Sequence, residues 1–264
     1  MKRRWKPFPH AQERFGFEGD ALKKHWPRLH RGDCEPFPKS AALQDAWRAF
    51  HRGDFQLACE RGLELGEQGH AVAGKAQFIY ATYLEPDRKA RLALFEEAAG
   101  RAAAARTARP GDAASHYLFA CCMGRHSQSK SVLEALAAGT AGQIRKALER
   151  ALELAPRHAE AHIAMGTWHT EVIDKAGALV GGLTYGASAP AALAHYRKAL
   201  ALFPESAIAR VEYAAGLMRT DSSREPEAKK LLAQAAKLKP ADAAESLDLE
   251  LARSRLHGLE TRAL

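Results

Sequence analysis

Apolar residues recur along this chain at helical spacing, and several of the runs stop at a proline. Ahead of Pro204 stands Ala192-x3-Tyr196-x2-Ala199-x4-Pro204. The same spacing gives Ala228, Leu232 and Ala235 ahead of Pro240, and Ile144, Leu148 and Ala151 ahead of Pro156. Positions i, i+4 and i+7 share one face of a helix, so each run predicts an amphipathic helix with a buried stripe. Proline lacks an N–H and clashes with the carbonyl four residues back, so it ends that helix. After Pro156 the pattern resumes with Met165-Gly166-x2-His169, and after Pro204 with Tyr213-Ala214-x2-Leu217. A small residue such as Gly166 or Ala214 lets a second helix approach closely, and Tyr196 or Leu232 fills the space between the two. Further helices are predicted near 54–67, 71–83, 87–107 and 243–257. No run alternates with the period of a strand, so the fold class is all-α.

The two half-patterns together resemble the tetratricopeptide repeat, with W-x2-L-G-x2-Y on its first helix and A-x3-F before a proline on its second. The resemblance implies a tetratricopeptide-like α-solenoid of antiparallel helix pairs, in which stacked hairpins bury a continuous core. A further repeat starts at 113, with Phe119, Ala120 and Met123 at signature positions. The prolines that close the repeats stand at 110, 156, 204 and 240, at intervals of 46, 48 and 36. Against a period of about 34, the first two intervals carry roughly 12 and 14 extra residues. These fall between first and second helices, at about 126–141 and 172–188. Insertions on one edge of a repeat protein often mark its binding side.

Residues 1–38 differ from the rest. Trp5, Phe8, Phe15, Phe17, Trp26 and Phe37 stand among five prolines, and so many aromatics are costly to leave in water. We expect an extended arm with a capping helix, packed on a single solenoid domain of residues 39–264 whose last helix is a C-terminal cap. The arm holds half of an internal duplication. Ala21-Leu22-x3-Trp26-x2-Leu29-His30-Arg31-Gly32-Asp33 recurs 21 residues later as Ala42-Leu43-x3-Trp47-x2-Phe50-His51-Arg52-Gly53-Asp54. Both copies read as a helix stopped by a glycine suited to a left-handed cap.

Residues 113–257 also resemble the regulator of microtubule dynamics family and its bacterial relatives. The likeness rests on Ala161-His162-x3-Gly166-x-Trp168-x2-Glu171-Val172, then Ala176 and Gly186, then Ala192-x3-Tyr196-x-Lys198-Ala199-x2-Leu202-x-Pro204. It implies a non-enzymatic α-solenoid that binds other proteins, and it brings no catalytic residue. Microtubule association belongs to animal members and is not carried over. In the repeat superfamily the concave face is lined by fixed first-helix positions. Here those supply Tyr117, Leu118, Cys121 and Arg125, then Glu160, Ile163, Thr167, Thr170 and Glu171, then Ile208, Val211, Glu212, Met218 and Arg219. None is Lys or Asn, which argues against the carboxylate clamp of chaperone-binding members. A small, mostly apolar surface suits an amphipathic helix laid in a groove, and equally the protein's own arm.

Charge and candidate chemistry change this picture little. The chain has 264 residues and a net charge of +8, but its basic residues are mixed with glutamates, as in Arg145-Lys146-Ala-Leu-Glu149-Arg150. That pattern reads as solvated helix faces and argues against nucleic acid as partner. No stretch has the roughly 20 apolar residues of a membrane span, and the basic start lacks an apolar signal region, so no membrane association is expected. Cys34, Cys59, Cys121 and Cys122 show no paired spacing, consistent with a reducing cytoplasm, and the Ala- and Arg-rich composition looks bacterial. His158, His162 and His169 could face one way along a helix, yet they read as packing and turn residues with no fixed fourth ligand. Gly177–Gly186 lacks the Lys-Ser/Thr and the preceding strand of a phosphate loop. We therefore expect no metal, no cofactor and no catalytic residue, and a scaffold that binds a protein or peptide of unknown identity. The alternatives are a helical ligand- or metal-binding protein or enzyme built on the His/Gly-rich insertion, and a nucleic-acid-binding solenoid.

Overall fold

The computed structural model describes residues 4–10, 15–128 and 139–261. Among the described residues the chain forms thirteen α-helices and two short 3-10 turns, with no strand. They fall into two compact units. The first comprises Met1–His30, Glu35–Lys130 and Ala241–Ala244, and the second Arg31–Cys34, Ser131–Pro240 and Glu245–Leu264, as far as these are described.

The first unit holds α1 (Ala21–Leu29), α2 (Ala41–Arg52), α3 (Phe55–Glu64), α4 (His70–Tyr83), α5 (Arg88–Ala108) and α6 (Ala113–Ser127). Each helix from α2 to α6 packs on the next. Their ends follow from local chemistry. Ser40 accepts the Leu43 N–H at 3.2 Å and Asp87 Oδ1 accepts that of Ala90 at 2.7 Å, each satisfying a donor the helix cannot. Gly53 closes α2 with φ of 91°, a conformation that a side chain disfavours. In the arm, the Trp5 ring stacks on Tyr80 at 4.2 Å, and the Trp5 N–H donates to Gln56 Oε1 at 2.8 Å. Phe8 lies against Gly53.

The second copy of the duplication is capped as the pattern implies, but the first is not. α1 ends at Leu29, Gly32 is not left-handed, and the positive φ of 58° falls on Cys34. The glycine is needed there for closeness instead. A Cβ on Gly32 would lie 3.1 Å from Glu160 Oε1 and 3.2 Å from the Phe203 ring. The Gly32 carbonyl accepts the Glu160 N–H at 2.9 Å, and Arg31 Nε donates to the Leu202 carbonyl at 3.0 Å. A remote turn thus satisfies the free ends of two helices at once.

Those helices belong to the second unit, which holds α7 (Thr140–Leu154), α8 (Ala159–Ala176), α9 (Ala178–Tyr185), α10 (Ala189–Leu202), α11 (Ala207–Thr220), α12 (Glu225–Ala235) and most of α13 (Ala243–Glu260). α8 packs on α7, α9, α10 and α11, while α11 packs on α10 and α12. Ser188 and Ser206 cap α10 and α11 through the N–H groups of Ala191 and Ala209. α8 is capped by an imidazole: buried His158 accepts the Ala161 N–H on Nδ1 at 3.1 Å.

Tyr196 sits at the centre, 0% exposed, with its ring stacked on Tyr213 at 5.2 Å. A Cβ added to Gly166 of α8 would meet that ring at 2.8 Å, and one added to Gly216 of α11 would meet its other edge at 2.8 Å. Two missing side chains therefore make the slot that one large side chain fills. Ala252, Leu232, Val211 and Ala214 continue the core towards α12 and α13. Tyr196→Ala should cost about 3–5 kcal/mol in urea unfolding, as for other buried aromatics, whereas Tyr196→Phe should cost far less. A loss under about 1 kcal/mol for the alanine variant would mean that Tyr196 is not the wedge.

Candidate functional site

α8 and α11 are the first helices of successive pairs, and they pack side by side. Of the residues predicted to face a partner, Ile163, Thr170, Val211 and Glu212 are buried. Glu160, Thr167, Glu171, Ile208, Met218 and Arg219 are half-buried on these two helices. In the first unit, α6 buries Tyr117 and Leu118 and leaves Cys121 and Arg125 half-buried. The available surface is thus narrower than the sequence positions suggest, because helix packing takes the larger apolar side chains.

Half-buried Thr167 links two buried groups into a polar chain. Thr167 Oγ1 lies 3.2 Å from Tyr196 Oη and 3.3 Å from Glu212 Oε2. With Thr167 donating to the carboxylate, the Tyr196 hydroxyl donates to Thr167. Burial, and then the Glu212 charge, push the tyrosine's pKa above its ordinary value. Arg219 Nη2 stands 3.9 Å from Glu171 Oε1, and its buried Nη1 has no hydrogen-bond partner among the described residues. A guanidinium nitrogen withdrawn from water without an acceptor is an incomplete arrangement.

The insertion expected at 172–188 is helical. α8 runs on to Ala176, Gly177 turns the chain with φ of 78°, and α9 ends at Gly186 with φ of 66°. Gly181 sits against Val172, and Arg145 Nη1 donates to the Tyr185 carbonyl while Nε pairs with Glu149 at 2.7 Å. Leu179, Val180 and Leu183 are 75%, 51% and 81% exposed. Three neighbouring apolar side chains in water, on a helix without a charged residue, are the kind of patch that marks an interaction site. The insertion expected at about 126–141 lies mostly outside the described residues.

The histidines take up local duties. His162 Nε2 lies 3.3 Å from the Pro156 carbonyl and so carries its proton there, leaving Nδ1 to accept from His195 Nδ1 at 2.9 Å. His169 Nδ1 accepts the Ser188 N–H at 3.2 Å, at the start of α10. With His158 capping α8, the three histidines along this helix bond to three different partners. Among the described residues no group of three or more His, Cys, Asp or Glu is arranged to hold a metal. His195 escaped the sequence reading, because its contact with His162 spans 33 residues and no spacing rule connects them.

These helices, paired as they are, define a tetratricopeptide-like protein. A crystal structure of a thermophilic TPR protein from Thermus thermophilus matches the fold with a TM-score of 0.59 and 18% identity, over 83% of this chain and 97% of that one. A comparison with curated protein sequences returns no match. Residues 54–257 match the family model described as regulator of microtubule dynamics protein 1-3. The chain belongs to that family.

Burial depresses both His169 and His195 to a pKa of about 4; beyond burial, His195 and Arg145 act on the former and His162 on the latter. The folded state therefore holds them neutral, whereas the unfolded chain protonates histidine near 6.5. The resulting stability is complete above about pH 6.5 and is lost as pH falls towards 4. Thermal melts between pH 8 and 4 should show this decline, and His195→Gln should flatten it. A wild-type midpoint independent of pH across that window would contradict the assignment.

Proposed function

We propose that this protein is a non-enzymatic interaction scaffold that binds a protein or peptide. The binding face is formed by Glu160, Thr167, Glu171, Ile208, Met218 and Arg219 together with the insertion edge at α9. In this reading residues 39–264 work as one repeat domain, with residues 1–38 as its aromatic arm. The exposed Leu179, Val180 and Leu183 on an uncharged helix carry the reading. The Arg219 Nη1 without a partner among the described residues supports it, since an acceptor from a bound protein would complete it. The titratable groups of the site favour this over catalysis. Its histidines are engaged as hydrogen-bond partners within the fold, and among the described residues of the site no nucleophile is paired with a base. None of the four cysteines is in a disulfide, which suits a reducing cytoplasm. Among the described residues no helix is long and apolar enough to cross a membrane.

Affinity purification from the native cell with cross-linking tests the proposal. We expect cross-links from one specific protein to map to α8, α9 and α11. Leu179→Glu with Leu183→Glu should weaken that association at least about tenfold, a change of about 1.4 kcal/mol, while thermal stability stays unchanged. Undiminished binding by the double variant would remove α9 from the site, and cross-links confined elsewhere would overturn the face as a whole.

A further inference from the structure

The duplicated turn of the N-terminal region seats a phenylalanine twice. In the first copy a Cβ on Gly32 would lie 3.2 Å from the ring of Phe203, and in the second a Cβ on Gly53 would lie 2.7 Å from Phe8. Each phenylalanine is followed by a proline, Pro204 or Pro9. The two seats differ in how firmly they are filled. Phe203 is buried at the end of α10, and Arg31 Nε donates to the adjoining Leu202 carbonyl at 3.0 Å. Phe8 is only half-buried, in a segment that touches the end of α2, α3 and α4.

Residues 5–9, Trp-Lys-Pro-Phe-Pro, have the make-up of a peptide ligand. Proline fixes its own φ and keeps the residue before it extended, so Pro7 and Pro9 hold Lys6 and Phe8 open. A chain of this kind makes about three residues per turn, which puts Trp5 and Phe8 on one face. Exposure follows that face: Trp5 and Phe8 are half-buried, whereas Lys6, Pro7 and Pro9 are exposed. So stiff a segment loses little freedom on binding. Further along, Phe17 is buried in the core, so the arm is anchored there and not at Trp5.

The receiving surface is equally prepared. Trp5 stacks on Tyr80 with planes 12° apart, Tyr80 Oη accepts the Lys6 N–H at 3.2 Å, and Gln56 Oε1 accepts the Trp5 N–H at 2.8 Å. Both acceptors are oriented from behind. The Tyr80 hydroxyl donates to buried Glu85 Oε2 at 3.1 Å, and Gln56 Nε2 donates to Glu60 Oε1 at 3.1 Å. Those donations leave the two oxygens to face the arm. Backbone N–H groups are thus read without regard to side chain, while the platform and the glycine seat select two aromatic rings. Extended proline-rich segments are recognised in this way, on aromatic-lined surfaces.

We propose that Gly53, Gln56 and Tyr80 form a recognition site for an extended aromatic-x-Pro-aromatic-Pro segment of another protein, and that residues 5–9 are a built-in occupant which such a segment displaces. A second copy of the chain brings one arm and one site, so exchange between copies gains no contact. The site belongs to the first unit and the face proposed above to the second, and neither depends on the other.

Fluorescence anisotropy with a labelled, N-acetylated Arg-Trp-Lys-Pro-Phe-Pro-His peptide, the sequence of residues 4–10, tests this on the full chain. An attached occupant competes at an effective concentration on the order of millimolar, so the wild type should bind the peptide weakly. Trp5→Ala with Phe8→Ala empties the site and should tighten binding at least about tenfold. Adding Gln56→Ala to that variant removes one acceptor and should weaken binding again by about three- to tenfold. A peptide with alanine for both aromatics should not bind. Absence of tightening in the double variant, or binding indifferent to Gln56, would overturn the proposal. Should the double variant fail to fold, hydrogen exchange of the wild type decides. Saturating peptide should speed exchange of the Trp5 and Lys6 amides, and unchanged protection refutes displacement. A dimer that grows with concentration and is lost in the double variant would give the site to a second copy instead, against the proposal.

Discussion

Tyr196 held between Gly166 and Gly216 is the contact on which the second unit depends. A phenol ring of α10 with no exposed surface lies against α8 and α11 at once, and it can do so only because both lack a side chain where it lies. Close packing makes this arrangement unforgiving, since neither a smaller wedge nor a larger slot can be absorbed without loss. It also fixes how α8 meets α11, and hence which side chains those helices leave at the surface. The polar chain from the Tyr196 hydroxyl through Thr167 to Glu212 adds direction to the packing. A buried carboxylate must be satisfied, so the register of the two helices is set by hydrogen bonds as well as by volume.

Much of this was legible in the sequence. The spacing Ala192, Tyr196, Ala199, Pro204 reported a helix, its buried face and its end, because each is a local consequence of residue type. Gly166 was legible as a close-approach position for the same reason. Gly216 was not, since its role appears only once the neighbouring pair is in place. Glycines also misled. The stretch Gly177–Gly186 falls in what the spacing marks only as an insertion between two helices, yet Gly181 and Gly182 lie inside α9, where Gly181 lets the helix settle against Val172. Gly32 seemed a left-handed cap by analogy with Gly53, whereas its task is to admit Glu160 and Phe203.

The candidate site was legible more coarsely than the fold. Repeat phasing named residues on α6, α8 and α11, but it could not say that Ile163, Thr170 and Val211 would be spent on packing. Histidine contacts were the least visible. His158, His162 and His169 are regularly spaced along one helix, and regularity invited a shared ligand. Each instead bonds to what stands beside it: a helix end, a histidine from α10, or a backbone amide. Contacts such as His51 with Asp242, 191 residues apart, leave no trace in local pattern at all.

The two glycines that bracket α9 have a consequence for how such a protein can diversify. Gly177 and Gly186 absorb the changes of direction on either side, and the core clasp around Tyr196 draws no residue from between them. Apart from Gly181, which packs on Val172, the residues of α9 can therefore be exchanged while α8 and α10 keep their pairing. α9 is in effect a cassette, whose surface chemistry can change without re-solving the folding problem.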